Sequence, residues 1–514
     1  MWRKEIAEEL ESRRNAAIAG GGSERISRQH AAGKLTARER IGLLFDEDSF
    51  EEIHSLEASA QRRDCLPVDA AAGDGVIVGR GTIGGRPVCA AVEDFTVCGG
   101  TLGECHAKKI ILVMSVAQKY RLPFIMICDS GGARVEEGVH SLNGYSGIFL
   151  QNTKASGKIP QIAAVLGPCA GGACYSPAIC DFIFIVRGIS KMFVTGPKVV
   201  EKVIGRTIDA EELGGAEVHE KQSGVAHFVC EDERACMDGI RRLLTYLPQN
   251  CDAPLPAAVP VPPADGVSLQ DIVSENRKNA YDVRLVINGI FDGGSFMEIQ
   301  PEFAKNIVIG FARLDGDPCG VVANQPCRMA GAIDADASDK AARFIRFCDS
   351  FGIPLVVLVD TPGFLPGTEQ EHKGIIRHGA KLLYAFAEAS VMKITLILRK
   401  AYGGAYIAMN SKGVGADFVF SWPLAEIAVM GEQGAVEILY RKQIMSARDP
   451  DAEREKLAAQ YRRDMLSPYI CAENGYIDEV IMPEETRRKL IGALSLAGTS
   501  GQRADRGRHG NIPL

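Results

Sequence analysis

The sequence predicts an α/β protein built from two copies of one layered domain. Three observations predict it. A proline-rich stretch, with Pro254, Pro256, Pro260, Pro262 and Pro263 between Cys251 and Gly266, divides the 514 residues into near-equal parts. The second part repeats motifs of the first at an offset of 231 to 232 residues. Within each part, short β-rich apolar runs alternate with helix-period patterns, as βαβ units with crossover connections require. The expected organisation is a first domain over 1–250, an extended linker over 251–266 and a second domain over 267–514.

The repeat is legible element by element. Gly85-Arg86-Pro87-Val88 pairs with Gly316-Asp317-Pro318-Cys319. The helical stretch around Lys108 pairs with that around Lys340. Apolar residues 107, 110, 111 and 114 share the i, i+3, i+4, i+7 spacing of 341, 344, 345 and 348. The strand ending at Asp129 (Pro123-Phe-Ile-Met-Ile-Cys-Asp129) pairs with the strand ending at Asp360 (Pro354-Leu-Val-Val-Leu-Val-Asp360). Each leads into a glycine-containing turn, Ser130-Gly131-Gly132 and Thr361-Pro362-Gly363. Residues 162–166 and 394–398 are apolar throughout, as strands covered on both faces are. They precede Ala170-Gly171-Gly172-Ala173 and Tyr402-Gly403-Gly404-Ala405. Asp181-Phe-Ile-Phe184 pairs with Asp417-Phe-Val-Phe420 after a four-residue insertion.

Composition excludes several classes. Apolar residues make up 46% and charged residues 24%, as in a folded globular chain. Lys and Arg number 58 against 65 Asp and Glu, a net charge of −7 that argues against a nucleic-acid partner. No apolar run reaches the ~18 residues of a membrane span, so direct membrane insertion is not expected. Glu5, Glu8 and Glu9 make the start unlike a signal or transit peptide. The fifteen cysteines form no CxxC pair and sit mostly in apolar runs, which reads as free thiols in a reducing, cytoplasmic setting. Residues 501–514 read as a surface-bound or loose end, with Arg503, Arg506 and Arg508 solvated.

The chemistry is expected at the two Gly-Gly turns. Adjacent glycines let the backbone turn sharply and leave N–H groups uncovered. N–H groups at a strand-to-helix turn point at an oxygen that carries or develops negative charge, which is an oxyanion hole. The loops Asp129-Ser-Gly-Gly-Ala-Arg134 and Asp360-Thr-Pro-Gly-Phe-Leu-Pro-Gly367 lie at the carboxyl ends of strands, the ligand side of an open α/β sheet, and can wall an acyl group. Other motifs read as structural. Gly79-x-Gly81-x-x-Gly84 runs into another apolar stretch, a hairpin rather than a dinucleotide loop. Val391-Met392-Lys393 resembles the core of a biotin attachment site but leads into a strand. His372 and His378 form no HExxH, and no metal is expected. No Gly-x-Ser-x-Gly elbow occurs.

Many of these residues together resemble one family. Lys34-Leu-Thr-Ala-Arg-Glu-Arg40, the DFTV of 94–97, Asp129-Ser-Gly-Gly-Ala-Arg134, Gly167-Pro-Cys-Ala-Gly-Gly-Ala173, Ser338-Asp-Lys-Ala-Ala-Arg343, Pro362-Gly-Phe-Leu-Pro-Gly367, Ile376-Arg-His-Gly-Ala380, Ala401-Tyr-Gly-Gly-Ala-Tyr406 and the terminal His509-Gly-Asn-Ile-Pro-Leu514 are similar to the carboxyltransferase components of biotin-dependent acyl-CoA carboxylases. The propionyl-CoA carboxylase β chain is the nearest type; the methylmalonyl-CoA decarboxylase α subunit and the transcarboxylase central subunit share the component.

The resemblance implies an α/β fold made by tandem duplication of a crotonase-like (ClpP-type) domain, in a homo-hexamer with composite sites. It implies that the N–H groups of Gly171 and Gly172 hold the acyl-CoA thioester oxygen, with Gly131, Gly132, Ala133, Tyr145 and Ile407 around the acyl group. It implies that Gly404 and Ala405 hold the biotin ureido oxygen, with Gly403, Gly363 and Phe364 nearby. The implied partners are acyl-CoA, a biotin carboxyl carrier protein bearing carboxybiotin, and a biotin carboxylase subunit, or alternatively the membrane subunits of a sodium-pumping methylmalonyl-CoA decarboxylase. Propionyl-selective members tend to carry Asp at the position of Ile407, so an aliphatic residue there implies a pocket that also accepts acetyl-CoA. Val135-Glu136 and Cys105 depart from the family's usual Ile-Gln and Met. A crotonase-type hydratase needs a carboxylate beside the first turn, and residues 167–176 supply none. A non-catalytic acyl-CoA scaffold accords poorly with two intact turns.

Overall fold

The computed structural model describes residues 3–58, 73–264, 266, 268–276, 279–497 and 509–513. They divide into two compact units, the first running to Pro254 and taking in His509–Pro513, the second beginning at Leu255.

The first unit is built on β1 (Glu51–Ile53), β2 (Val76–Ile83), β3 (Arg86–Glu93), β4 (Phe124–Ser130), β5 (Gln161–Ala170), β6 (Phe182–Val186), β7 (Lys191–Phe193) and β8 (Phe228–Cys230). They lie in the order β1-β2-β3-β4-β5-β6-β8, with β7 beside the end of β5. The second unit has β9 (Met297–Ile299), β10 (Ile307–Leu314), β11 (Asp317–Asn324), β12 (Leu355–Thr361), β13 (Lys393–Tyr402), β14 (Phe418–Ser421), β15 (Glu426–Ala428) and β16 (Glu479–Val480). Its order is β9-β10-β11-β12-β13-β14-β16, with β15 beside β13. The topology is therefore the same twice. In each unit the first three strands pair antiparallel and the rest parallel. The parallel core strands β4 and β12 are buried at every residue. Helices must then cover both faces, which is why those segments read as unbroken apolar runs.

The hairpin expected at Gly79–Gly84 is the β2–β3 pair, and its glycines serve packing. A Cβ on Gly79 would lie 2.3 Å from the Glu51 carbonyl oxygen, and one on Gly81 would lie 2.6 Å from the Phe45 ring. Lys393 opens β13 and is buried, its Nζ donating to the carbonyls of Phe386 and Ala389 at 2.7 and 2.8 Å. That environment leaves no amine for attachment.

The helix register differs from the one expected. The helices Glu104–Tyr120 and Ala335–Phe351 correspond at the strand offset of 231, which matches Lys109, not Lys108, with Lys340. It also sets Ile110 and Met114 against Ala341 and Ile345, all buried, in place of the 107-to-341 pairing read from spacing alone. The lysines explain the register. Lys109 Nζ donates to the carbonyls of Gly73 and Val76, and Lys340 Nζ to those of Gln300, Phe303 and Ile307. Lys108 is exposed and pairs with Glu104. A helix-period pattern repeats every three to four residues, so apolar spacing alone does not set its phase.

The proline stretch is extended and held against the second unit. Ala258 N–H donates to Gly316 O at 3.0 Å, Gly293 N–H to Pro262 O at 3.1 Å, and Arg313 Nη1 to Pro256 O at 2.8 Å. The chain end does not continue the second unit. Asn511 donates from its backbone to Ser156 Oγ at 2.9 Å and from Nδ2 to Asp181 Oδ1 at 3.1 Å, tying it to the first. Arg503, Arg506 and Arg508 lie outside the described residues.

Replacing Lys340 with Met keeps the apolar stem but leaves buried carbonyls without their donor. Lys340→Met should destabilise the protein by about 1–3 kcal/mol. Thermal melting of the variant beside the parent protein measures it.

Candidate functional site

Each unit carries the same device at the end of its central strand. β5 pairs with β4 in register as far as Cys128 and Val165, then shifts so that Ser130 faces Cys169. β13 does the same against β12: Val359 faces Ile397, then Thr361 faces Ala401. The extra residues swing the strand end away, and its last three residues pair with β7 or β15 instead. The chain then turns through Gly171 (φ +62°) into residues 171–179, or through Gly403 (φ +58°) into Gly403–Ala408. That left-handed conformation is costly for any residue with a Cβ. The residues before the turns, Ala170 and Tyr402, make no side-chain cap bond to the N–H groups that follow.

The residues expected to wall each site lie beside its turn. In the first unit Gly132 (φ +100°) passes so close to β5 that a Cβ would lie 2.8 Å from Ala170 O. Ala133 pairs with Leu102 as an isolated parallel bridge, and Gly131 N–H donates to Gly99 O at 2.9 Å. The Tyr145 ring lies against Gly172, where a Cβ would come within 2.8 Å of it. Burial pushes the Tyr145 hydroxyl well above its usual range, so it stays a neutral phenol. In the second unit Phe364 bridges Ile333 as Ala133 bridges Leu102, with Gly363 beside it. The Phe364 ring lies 3.8 Å from a Cβ built on Gly404. Ala405 is buried and Ile407, on the same short helix, is 46% exposed. Gly131, Gly132, Ala133, Tyr145, Gly171 and Gly172 thus gather in one unit, and Gly363, Phe364, Gly403, Gly404, Ala405 and Ile407 in the other.

Arg134 does not face a ligand. It is buried, and its Nη1 donates to Asp74 Oδ1 at 2.9 Å and Glu137 Oε1 at 2.7 Å. His378 pairs with Asp339 at 2.8 Å. Among the described residues, no group of His, Cys, Asp or Glu is placed to hold a metal ion.

The carboxylates beneath the strand shifts were not assigned a role from sequence. Asp129 is fully buried. Lys34 Nζ reaches it at 2.7 Å and Arg40 Nη1 at 2.9 Å, with Gln29 Nε2 at 3.0 Å. Arg40 also donates to Leu166 O at 2.8 Å and to Glu233, joining its helix to the shifted part of β5. Asp360 occupies the same place in the second unit. It accepts from Arg399 Nε at 3.0 Å, Tyr281 Oη at 2.8 Å and Lys400 N–H at 3.1 Å. Burial raises its carboxyl, against the Arg399 charge. Lys34 and Arg40 belong to a motif visible in the sequence, but its partner lies 89 to 95 residues away.

Fold and site together define the crotonase-like class, present here in duplicate. The chain belongs to the carboxyl transferase domain family, whose model matches residues 28–512. It is 50% identical to the propionyl-CoA carboxylase carboxyltransferase subunit of Haloferax mediterranei, over 100% of both chains. It is 50% identical to the methylmalonyl-CoA decarboxylase α subunit of Veillonella parvula, over 96% of both. Among solved structures, the transcarboxylase 12S hexamer with methylmalonyl-coenzyme A and methylmalonic acid bound superposes with a TM-score of 0.94 at 48% identity, covering 100% of this chain and 99% of that one.

Removing the buried charge should cost far more than removing a surface one. Asp129→Asn leaves Lys34 in the interior without its anion and Arg40 with Glu233 alone, and is expected to destabilise by about 3–5 kcal/mol. Urea unfolding of the variant, followed by tryptophan-independent circular dichroism, reads the loss.

Proposed function

We propose that the chain is the carboxyltransferase component of a biotin-dependent acyl-CoA carboxylase. It moves a carboxyl group between carboxybiotin on a separate carrier and the α-carbon of a short acyl-CoA, propionyl-CoA/methylmalonyl-CoA and also acetyl-CoA/malonyl-CoA. The supporting observation is the pair of uncapped donor turns on duplicated sheets, in a chain half identical over its full length to a propionyl-CoA carboxylase subunit.

The N–H groups of Gly171 and Gly172 donate to the thioester oxygen and hold its charge as the α-proton leaves. These dipoles are fixed before the substrate arrives, so no reorganisation is needed in the transition state. One such donor is worth about 2.7–4 kcal/mol. Gly131, Gly132, Ala133 and Tyr145 shape the acyl side. The second turn suits the ureido oxygen of biotin: Gly404 and Ala405 present N–H donors, and the Phe364 ring lies alongside with room above Gly404. Biotin, when delivered, supplies the carboxyl group and a ureido nitrogen that takes the proton. The chain contributes positioning and electrostatics, which is why a Ser-His-Asp set is not needed.

The same half-reaction serves the reverse direction. Identity to a methylmalonyl-CoA decarboxylase α subunit supports a second reading, in which the chain strips the carboxyl group for membrane partner subunits. A hexamer, carrier and carboxylase partners and a cytoplasmic setting complete the proposal. The hexameric 12S neighbour supports the first.

The testing experiment is carboxyl transfer from methylmalonyl-CoA and malonyl-CoA to free biotin by the purified chain. Transfer from both is expected, and transfer from neither overturns the reading. Gly172→Asp should lower transfer at least 10²–10³-fold, because a side chain there strikes the Tyr145 ring and brings a negative charge beside the enolate oxygen. Near-parental activity in a folded Gly172→Asp protein removes the acyl-side assignment. Ile407→Asp should shift the ratio of kcat/KM values away from the acetyl/malonyl pair. An unchanged ratio shows that Ile407 does not line the acyl pocket.

A further inference from the structure

The two units differ at one position that touches the loop beside each donor turn. β3 ends at Glu93 and β11 ends at Asn324, 231 residues later. Both side chains accept the N–H of the buried aspartate on the neighbouring strand. Asp129 N–H donates to Glu93 Oε2 at 2.9 Å, and Asp360 N–H to Asn324 Oδ1 at 3.2 Å. A neutral amide does the task in the second unit and an ionisable carboxyl in the first.

Glu93 is not placed as an ordinary ion. It is 2% exposed and receives no Arg or Lys hydrogen bond among the described residues. Its other oxygen lies 3.6 Å from Nε2 of His106, which is fully buried and whose ring nitrogens have no hydrogen-bond partner there. The second unit has Ala337 at the position of His106. The groups facing Glu93 are Asp129 and Cys128 on β4, Arg40 from the N-terminal helix, His106 on Glu104–Tyr120 and Tyr145 on Val139–Ala155. Burial pushes the Glu93 carboxyl up to about 8, opposed by the Asp129 N–H and aided by the Asp129 charge. Burial pushes His106 down to about 3. At neutral pH both are uncharged, one with a proton to give and the other with a lone pair to take it.

From Asp129 the chain runs directly into the wall of the acyl-side turn. Ser130 Oγ donates to Gly100 O at 2.6 Å, and Gly132 lies against Ala170 O, the residue before Gly171. We propose that Glu93 is a positioning residue for the acyl-side wall, holding the Asp129 amide with one oxygen while its carboxyl stays protonated in the interior. The inference rests on the first unit being the acyl-CoA side. In the protonated state Glu93 adds no charge beside Asp129. When it ionises, two carboxylates, Glu93 and Asp129, adjoin in the interior. The wall loosens and acyl-CoA is held less well.

The test is transfer from methylmalonyl-CoA to free biotin between pH 6 and 9.5, with Glu93→Leu and Glu93→Gln. Glu93→Leu, which removes the acceptor, should lower kcat/KM for the acyl-CoA about tenfold, the equivalent of one lost hydrogen bond, with the KM for biotin within twofold. Glu93→Gln restores an acceptor and should rescue the loss. It should also abolish the parental decline in kcat/KM above pH 8, since it has no proton to lose. A Glu93→Leu protein within twofold of the parent, or Glu93→Gln and parent declining together, overturns the proposal. Amide hydrogen exchange separates this from a failure of the functional reading. Glu93→Leu should speed exchange over residues 128–134 and leave 359–365 unchanged whether or not the parent transfers carboxyl groups. Equal exchange in variant and parent overturns the positioning role by itself.

Discussion

Both units depend on a buried carboxylate set beneath the shifted end of the central strand. Asp129 and Asp360 are the last residues but one of β4 and β12, at 0% and 1% exposure. Each sits where the neighbouring strand gains extra residues, and each is tied to that strand: Asp129 through Arg40 to Leu166 O, and Asp360 directly by Lys400 N–H. A shift in a parallel ladder leaves backbone groups unpaired, and unpaired buried groups are costly. The carboxylate and its partners absorb that cost, and the strand end is then free to swing to β7 or β15. The Gly-Gly turn follows from this geometry. The positive-φ residues Gly171 and Gly403 come directly after the shifted strand ends.

The two copies neutralise the same carboxylate in different ways. In the first unit the cations come from the distant N-terminal segment, Lys34 and Arg40. Gly167 has to be glycine, because a Cβ there would lie 2.0 Å from Asp129 Oδ1. In the second unit Arg399 stands at the position equivalent to Gly167 and pairs with Asp360 itself, stacked on Tyr281 at 5.0 Å. One charge balance met by exchange of partners is what a duplication produces when the interior tolerates no unpaired ion but accepts any geometry that supplies one. The Asp46 and Asp292 clamps show the opposite behaviour. Asp46 accepts from Gly84 and Gly85 N–H and pairs with Arg241; Asp292 accepts from Asp315 and Gly316 N–H and pairs with Arg487. Their partners are kept, because two consecutive turn amides fix where the carboxylate must lie.

Much of this was legible in the sequence, and the rest was hidden for physical reasons. The β4 and β12 runs announce themselves because strands covered on both faces are continuously apolar. The Gly-Gly turns announce themselves because a left-handed residue with no Cβ leaves a specific letter. Helix phase was less legible: apolar spacing at 107–114 fits several registers, and only the carbonyl contacts of Lys109 and Lys340 select one. The Asp46–Arg241 and Asp292–Arg487 pairs repeat at an offset of 246 in both members, while the turn amides they hold repeat at 231, since the segments flanking the strands differ in length between the copies. A search at one fixed offset misses them. The Asp129 cluster was invisible in another way. Lys34 and Arg40 appear in the sequence only as letters of a shared motif, and only tertiary structure buries them against a carboxylate about ninety residues away.

The divergence between the copies bears on what each turn is built to do. Backbone dipoles stabilise a developing charge only if they are held rigidly and if no fixed charge competes nearby. The second unit meets both conditions with neutral groups at the strand end, Asn324 beneath the loop and the Phe364 ring beside Gly404. The first unit surrounds its turn with more ionisable groups, Glu93, His106 and Tyr145, yet burial holds each of them uncharged near neutrality. The same electrostatic quiet is thus reached by composition in one copy and by desolvation in the other. The second route leaves the surroundings of the Gly171 turn sensitive to pH in a way those of the Gly403 turn are not. A duplicated fold can in this way present two donor turns of one geometry whose surroundings respond differently to the same medium.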